Sequence, residues 1–333
     1  MGSKEFTFEI LDQKSDFSEW DNLLDSSPQG TVFAKSWWLK CVCNNSFNIL
    51  VCRDRSGIVC GFPLNFSSKY GLNYSMMPRF TQTLGPIFRN FEGISESKKR
   101  SIEIHSLSGI INIMPSLLFI NTNFHYSYTN LLPFIWEGYE TSVRYTYIID
   151  NRKSVNSKYQ SISPNYKNKI KKAKKSGLRI IETDDINLLV NTIRKSLDKV
   201  VEIDYSLIEK LDQICKENNA RKIYLAKDLD ERIHSGLFVV YNKNFTYNLL
   251  QGGDPNLRKN GSNILAMWHS IIESVKYSNV YDFEGSMLRN IEQVFRSFGG
   301  VQMPYYAVTK NCLSDQLRYI SKNIKHLFKK SIR

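Results

Sequence analysis

The chain of 333 residues carries 45 Lys and Arg against 32 Asp and Glu, a net charge of +13, with 42% hydrophobic and 23% charged residues. That balance is ordinary for a folded protein and excludes disorder over most of the chain. The length passes the roughly 250 to 300 residues at which one core stops growing, so two domains are expected. No run reaches the roughly 18 apolar residues of a membrane helix, the longest candidate, Ile110 to Ile120, being broken by Asn112, Pro115 and Ser116. The first residues lack the apolar core of a signal peptide, and a cytoplasmic protein is expected.

Positive charge of this size favours an anionic partner without choosing among nucleotide sugars, coenzyme A, tRNA and an anionic membrane surface. The six cysteines (Cys41, Cys43, Cys52, Cys60, Cys215, Cys312) form no C-x-x-C pair and have no His at metal-ligand spacing. They read as small apolar residues in a reducing compartment, and no metal site is expected.

In chain order, Phe6 to Ile10 alternates as a strand does, and Phe17, Trp20, Leu23 and Leu24 give Ser15 to Leu24 a helical spacing. Ile49 to Phe66 reads as two strands about a turn at Arg53 to Gly57. An aromatic segment, Trp136 to Asp150, closes the first half, and the polar stretch Asn151 to Ser163 marks a boundary. Ser163 and Pro164 then announce a helix that Gly177 ends, Ser as cap, Pro in the first turn and Gly in the left-handed conformation. Tyr166, Ile170 and Ala173 share one stripe of it, and six lysines between Lys167 and Lys175 cover the rest. Two readings of those lysines stand: a solvated basic face, or a contact with phosphates or tRNA.

Beyond Gly177 the order becomes that of an α/β layer protein. A strand at Leu178 to Glu182 precedes helices at Ile186 to Val200 and Tyr205 to Asn218. Strands follow at Lys222 to Lys227, Ile233 to Tyr241 and Phe245 to Leu250, with hairpin signals at Leu229-Asp230-Glu231 and Asn242-Lys243-Asn244. A glycine loop leads into a helix from Ser262 to Lys276, then a strand at Val280 to Phe283, a helix at Asn290 to Phe298 and a strand at Tyr305 to Thr309. The C-terminal Leu317 to Lys330 has the spacing of a basic amphipathic helix, which packs on the protein or touches a membrane.

The chemistry is expected around Gln251-Gly252-Gly253-Asp254, Arg258-Lys259-Asn260 and Gly261-Ser262-Asn263, between a strand and a helix. Glycine lets the backbone approach a ligand, and a helix beginning near Ser262 offers amides and its positive dipole end to an anion. Arg258 and Lys259 add formal charge for a phosphate or pyrophosphate. The bland alternative is a loop whose Gly, Ser and Asn merely cap the helix. Amide formation needs a proton acceptor and donors for an oxyanion. Asp282 and Glu284, two apart on one strand and so on one face, are the candidate catalytic acids, with helix capping or a lysine pair as the other reading. Tyr247 is a candidate donor to a leaving group, or a packed ring. Gln251 and Asp254 are candidate substrate contacts, Asp254-Pro255 being also a common turn start. None of the five histidines has a partner in a nucleophile motif, which argues against a hydrolytic triad.

The C-terminal half resembles the GCN5-related N-acetyltransferase (GNAT) superfamily, and within it the Fem-like branch. Arg258-Lys259-Asn260-Gly261-Ser262 follows the Arg/Gln-x-x-Gly-x-Gly/Ala loop with which these enzymes bind the pyrophosphate of acyl-CoA, although Asn263 stands where Gly or Ala is usual. Val280 to Ser286, Arg296 to Gly300 and Pro304 to Tyr306 resemble the Asp-Phe-x-Gly strand and Phe-Gly ending of Fem-like acyltransferases, and the Pro164 to Gly177 helix is similar to the one opening their second domain. A thinner likeness rests on Phe33 to Trp38 and Phe80 to Pro86.

The resemblance implies an α/β (α+β) chain of tandem GNAT-like domains with mixed, largely antiparallel central sheets flanked by helices. A degenerate N-terminal domain would span 1–150 and an acyltransferase domain 151–333. It implies an N-acyltransferase moving an acyl or aminoacyl group from acyl-CoA or aminoacyl-tRNA, as co-substrate rather than tightly bound cofactor, to an amine of a cell-envelope precursor, a peptide or amino sugar as in peptidoglycan synthesis. Arg258, Lys259, Gly261, Ser262 and Asn263 would hold the donor. The long helical arm with which some Fem enzymes hold tRNA has no counterpart, since Asp184 to Asn218 shows no sustained heptads. The alternative is a catalytically inactive module of the same fold that binds RNA or another polyanion.

Overall fold

Short alternating runs and amphipathic segments become strands and helices at nearly the predicted places in the computed structural model, which describes residues 6–69, 72–197, 203–257, 260–285 and 287–312. In chain order the elements are β1 (Thr7–Leu11), α1 (Ser18–Ser26), α2 (Ser36–Val42), β2 (Phe47–Asp54), β3 (Gly57–Lys69), β4 (Leu72–Ser75), β5 (Ile87–Phe88), α3 (Glu96–Ile113), β6 (Phe119–Asn123) and α4 (Leu132–Trp136). They continue as β7 (Glu140–Asp150), α5 (Val155–Ser161), α6 (Pro164–Lys175), β8 (Arg179–Thr183), α7 (Ile186–Leu197), α8 (Tyr205–Glu217), β9 (Arg221–Lys227), β10 (Ile233–Tyr241) and β11 (Phe245–Gly253). α9 (Ser262–Glu273), β12 (Val280–Asp282), α10 (Arg289–Ser297) and β13 (Val301–Asn311) complete them. No helix among the described residues is long and apolar enough to cross a membrane. The basic segment Leu317 to Lys330 lies outside the described residues.

Two units divide the chain, and neither is one continuous stretch. Among the described residues the first takes 6–29, 43–143 and 305–312, the second 30–42 and 144–304. In the first, strands run in the order β1, β2, β3, β4, β6, β13, with β5 on β3. β13 closes that sheet antiparallel to β6, Ala307 facing Asn123 and Val308 facing Thr122. Val308 thereby joins a core of Leu50, Phe62, Phe124 and Phe134.

In the second unit the order is β7, β12, β11, β10, β9, β8. Pairings there are antiparallel except for β11 with β12, which run parallel over three residue pairs only, Phe245 to Val280, Thr246 to Tyr281 and Tyr247 to Asp282. α6 lies against α9, burying Tyr166, Ile170 and Ala173 as their spacing predicts. Gly177 ends the helix at φ +80°, but the Ser163 hydroxyl makes no capping bond. Its backbone N–H is bound to Ser297 O at 2.9 Å, so the helix start is tied to α10 through the main chain. The early segment Phe33 to Trp38 packs in this unit: Phe33 lies 4.5 Å from the Tyr247 ring and 5.2 Å from Trp38. All three side chains are fully buried, each burial stabilising by about 1.5–3 kcal/mol.

All six cysteines are free thiols; Cys43, Cys52, Cys60 and Cys215 are buried and Cys41 and Cys312 partly so. Burial pushes the Cys52 thiol up to about 11. Among the described residues no group of three His, Cys, Asp or Glu side chains comes together as metal ligands do.

Candidate functional site

Because β11 and β12 part after Tyr247 and Asp282, the two backbones open a wedge that no strand among the described residues fills. A cavity of about 490 Å³ occupies it. Its walls are Asn248 to Gly253 of β11, Asn263, Ile264 and Met267 of α9, Phe283, Glu284 and Gly285 after β12, and Ile291, Val294 and Phe295 of α10. The lining is mostly apolar with a few polar groups, the composition of a small-molecule site.

One extra residue in β11 helps to shape this wall. Phe238 pairs with Leu250 and Val239 with Asn248, so Leu249 is a bulge that breaks the strict alternation of the strand. A bulge bends and twists its strand and re-aims the side chains beyond it. Past it, Leu250, Gln251 and Gly252 become partly exposed. Gly252 is required by packing as much as by any ligand, since a Cβ there would stand 2.7 Å from Ile193 of α7.

The two candidate acids separate. β12 ends at Asp282, and Glu284 turns out of the strand into the left-handed region at φ +66°, so the two do not share a strand face as predicted. For a non-glycine residue that conformation costs of order 1–3 kcal/mol and persists only where neighbours impose it. Asp282 imposes it: its Oδ1 accepts the Glu284 N–H at 2.8 Å and the Thr146 hydroxyl at 2.5 Å. Asp282 is 1% exposed and does not line the cavity, whereas Glu284 does. Burial among apolar walls, with the Asp282 charge beside it, pushes the Glu284 carboxyl well above the usual carboxylate range.

The other predicted residues fall in three places. Gln251 and Asn263 line the cavity and are joined, Gln251 Nε2 donating to Asn263 O at 2.9 Å. Gly261 precedes the first turn of α9; the N–H of Ser262 donates to Asn260 Oδ1 at 3.2 Å, and the fully buried Ser262 hydroxyl has no hydrogen-bond partner among the described residues. Asp254 stands away from the cavity, where its carboxylate accepts from Lys195 Nζ and Asn256 N–H at 2.8 and 2.9 Å and is held below its usual range, chiefly by Lys195. Tyr247 is fully buried against Phe33 and does not line the cavity. Arg258 and Lys259 lie outside the described residues.

Sequence reasoning missed Thr146, whose only signal is its place in a long aromatic strand, and the apolar walls Met267, Ile291 and Val294, which read as ordinary helix stripes. It also missed His234, whose partners are distant in sequence.

Over most of its length the chain shares its fold with tandem GNAT proteins. A tandem GNAT protein from the clavulanic acid biosynthesis pathway matches with a TM-score of 0.51 at 10% identity, over 92% of this chain and 98% of that one. More particularly the fold is Fem-like: FemX matches with a TM-score of 0.69 at 12% identity, covering 90% of this chain and 96% of its own. The L-PGS structure from Bacillus licheniformis matches at 0.52 and 10% identity, over 90% and 92% of the two chains. No protein-family profile matches the chain, and no curated protein matches its sequence.

Proposed function

We propose that the protein is an N-acyltransferase whose second unit binds an acyl donor in the wedge between β11 and β12 and passes its acyl group to an amine. The observation that carries this reading is the placement of Glu284, an acid held in a strained conformation at the wall of an apolar cavity of about 490 Å³. A carboxyl held well above the usual carboxylate range by burial and by the Asp282 charge is a stronger base than an ordinary glutamate, suited to taking a proton from an amine nucleophile.

In this reading the acyl carbonyl enters the wedge and Glu284 removes a proton from the attacking amine. Nitrogen bonds to the carbonyl carbon, and the tetrahedral oxyanion collapses with loss of the donor's thiol or alcohol, which takes up a proton. Backbone amides of β11 near the bulge are the natural donors to the oxyanion. The anionic part of the donor belongs at the start of α9, where Asn263 and Ile264 border the cavity, with Gly261 and Ser262 beside them and Arg258 and Lys259 preceding. Gln251 orients Asn263. Asp282 and Thr146 hold Glu284 in place.

The donor is acyl-CoA or aminoacyl-tRNA and the acceptor an amine of a cell-envelope precursor, with FemX and L-PGS as the fold relatives that motivate the choice. Thermal-shift measurements with coenzyme A, acetyl-CoA, uridine nucleotide sugars and charged tRNA test it, since a ligand of the folded state raises Tm. Ile291→Trp, which fills the cavity, is expected to abolish the shift with the true donor. A shift that survives Ile291→Trp would place the donor elsewhere.

A second reading, a non-catalytic polyanion-binding module, is favoured by α6, whose six lysines pair with no carboxylate among the described residues. RNA affinity that falls steeply with salt and ignores Glu284→Gln, with no amide formed from any donor, would favour it.

A further inference from the structure

Outside the cavity, one buried chain of polar groups has no role in the chemistry above. β10 carries its own bulge at its start, Ile233 pairing with Lys227 and Ser235 with Ala226, which leaves His234 as the extra residue. The side chain is 7% exposed. Its Nε2 lies 2.9 Å from Asp228 Oδ2, and its Nδ1 lies 2.9 Å from Asn260 Nδ2 and 3.2 Å from Leu257 O. Asp228 accepts further from the N–H groups of Asp230 and Arg232 and from the Arg232 guanidinium. A carboxylate only accepts, so Nε2 carries a ring hydrogen; with the hydrogen there, Nδ1 accepts from the Asn260 amide, and the Leu257 carbonyl, itself an acceptor, stands beside it without a bond to it. The amide of Asn260 is oriented to match: Nδ2 donates to His234, and Oδ1 accepts the N–H of Ser262, the first residue of α9.

We propose that His234 is a positioning residue for the donor, fixing through Asn260 the start of α9 at which the anionic part of the donor is bound. The bonds from Asp228 to α9 all run in one direction. Asp228 sets the tautomer, the tautomer sets the orientation of Asn260, and Asn260 takes the Ser262 N–H, which fixes the turn that leads to Asn263 and Ile264 at the cavity wall. A second tie from the same residue holds the preceding loop, Asp254 N–H donating to His234 O at 3.0 Å. Pre-ordering of this kind raises affinity by removing the cost of arranging the loop upon binding. The inference rests on the donor reading given above.

The two nitrogens can be separated by substitution. Asn presents an amide oxygen where Nδ1 stands and keeps the bond to Asn260; Gln presents an amide nitrogen near Nε2 and keeps the bond to Asp228. Amide hydrogen exchange across residues 254–265 and the Kd for coenzyme A are measured for the wild type, H234N and H234Q. H234Q is expected to exchange faster at Ser262 and to weaken coenzyme A binding about tenfold, the loss of one positioning hydrogen bond, while H234N restores most of both. Equal behaviour of H234Q and wild type, or an H234N as impaired as H234Q, overturns the proposal. If the wild type binds no coenzyme A yet H234Q still loosens Ser262, acyl-CoA falls as the donor and the coupling of His234 to α9 stands.

Discussion

The backbone N–H of Glu284 donates to the carboxylate of Asp282 at 2.8 Å. Two acids that look equivalent in sequence therefore do different things: Asp282, buried and bonded also to Thr146, fixes a left-handed turn, and Glu284 on that turn faces the cavity. In the proposed chemistry only Glu284 meets the substrate.

Glu284→Gln keeps the size of the side chain and removes its basicity. Amide formation is expected to fall roughly 10²- to 10⁴-fold in kcat with KM little changed, the usual worth of a positioned base. In the wild type, log kcat/KM rises with pH and levels only well above the ordinary carboxylate range, because the carboxyl holds its proton longer in the folded protein. A rate already flat at pH 5 would remove Glu284 from the mechanism.

The same substitution has an opposite effect on stability. Since the folded pKa lies above the unfolded one, folding favours the protonated acid; its contribution is whole below the ordinary glutamate value of about 4.3 and is lost as pH rises through the folded value. Glu284→Gln carries no charge to bury. Its Tm is expected to exceed that of the wild type by a margin that widens from pH 4.5 to pH 8, and a margin that stays constant would contradict the raised pKa.

Thr146→Val preserves shape and deletes the hydroxyl that donates to Asp282. Leaving a buried carboxylate short of one donor costs about 1–3 kcal/mol. Chemical denaturation measures that loss. Because Asp282 then grips the Glu284 turn less firmly, kcat is expected to drop while donor affinity holds.

Tyr247→Phe tests the remaining catalytic candidate. With the ring packed on Phe33 and the residue outside the cavity wall, turnover is expected within about twofold of wild type. A loss of a hundredfold or more would return the hydroxyl to the reaction.

How much of this was legible depended on whether a residue's role is periodic. β10, β11 and α9 follow from alternation and helical spacing, and α6 from Pro164, its apolar stripe and Gly177. α3, an 18-residue helix, was not read, because Glu103 and Ser106 lie buried among Ile102, Leu107 and Ile110 and blur the stripe. The site was legible in identity and not in geometry. Glu284 was named, but nothing in Val280 to Gly285 announces that the strand stops at Asp282. The bulges at Leu249 and His234 are equally silent, since one unpaired residue leaves no mark on composition. His234 belongs to no nucleophile motif, and its partners Asp228 and Asn260, six and 26 residues away, form no recognisable pattern with it.

The pairing of β13 with β6 bears on how such a chain comes to be folded during synthesis. The sheet of the first unit lacks its last strand until residues near Ala307 have emerged, long after Asn123 has been made. For that interval β6 presents a bare edge, the kind of surface that invites stray strand pairing. Loop closure across so many residues is also a slow step, and the first unit is expected to complete its folding after the second rather than in the order in which the ribosome delivers them.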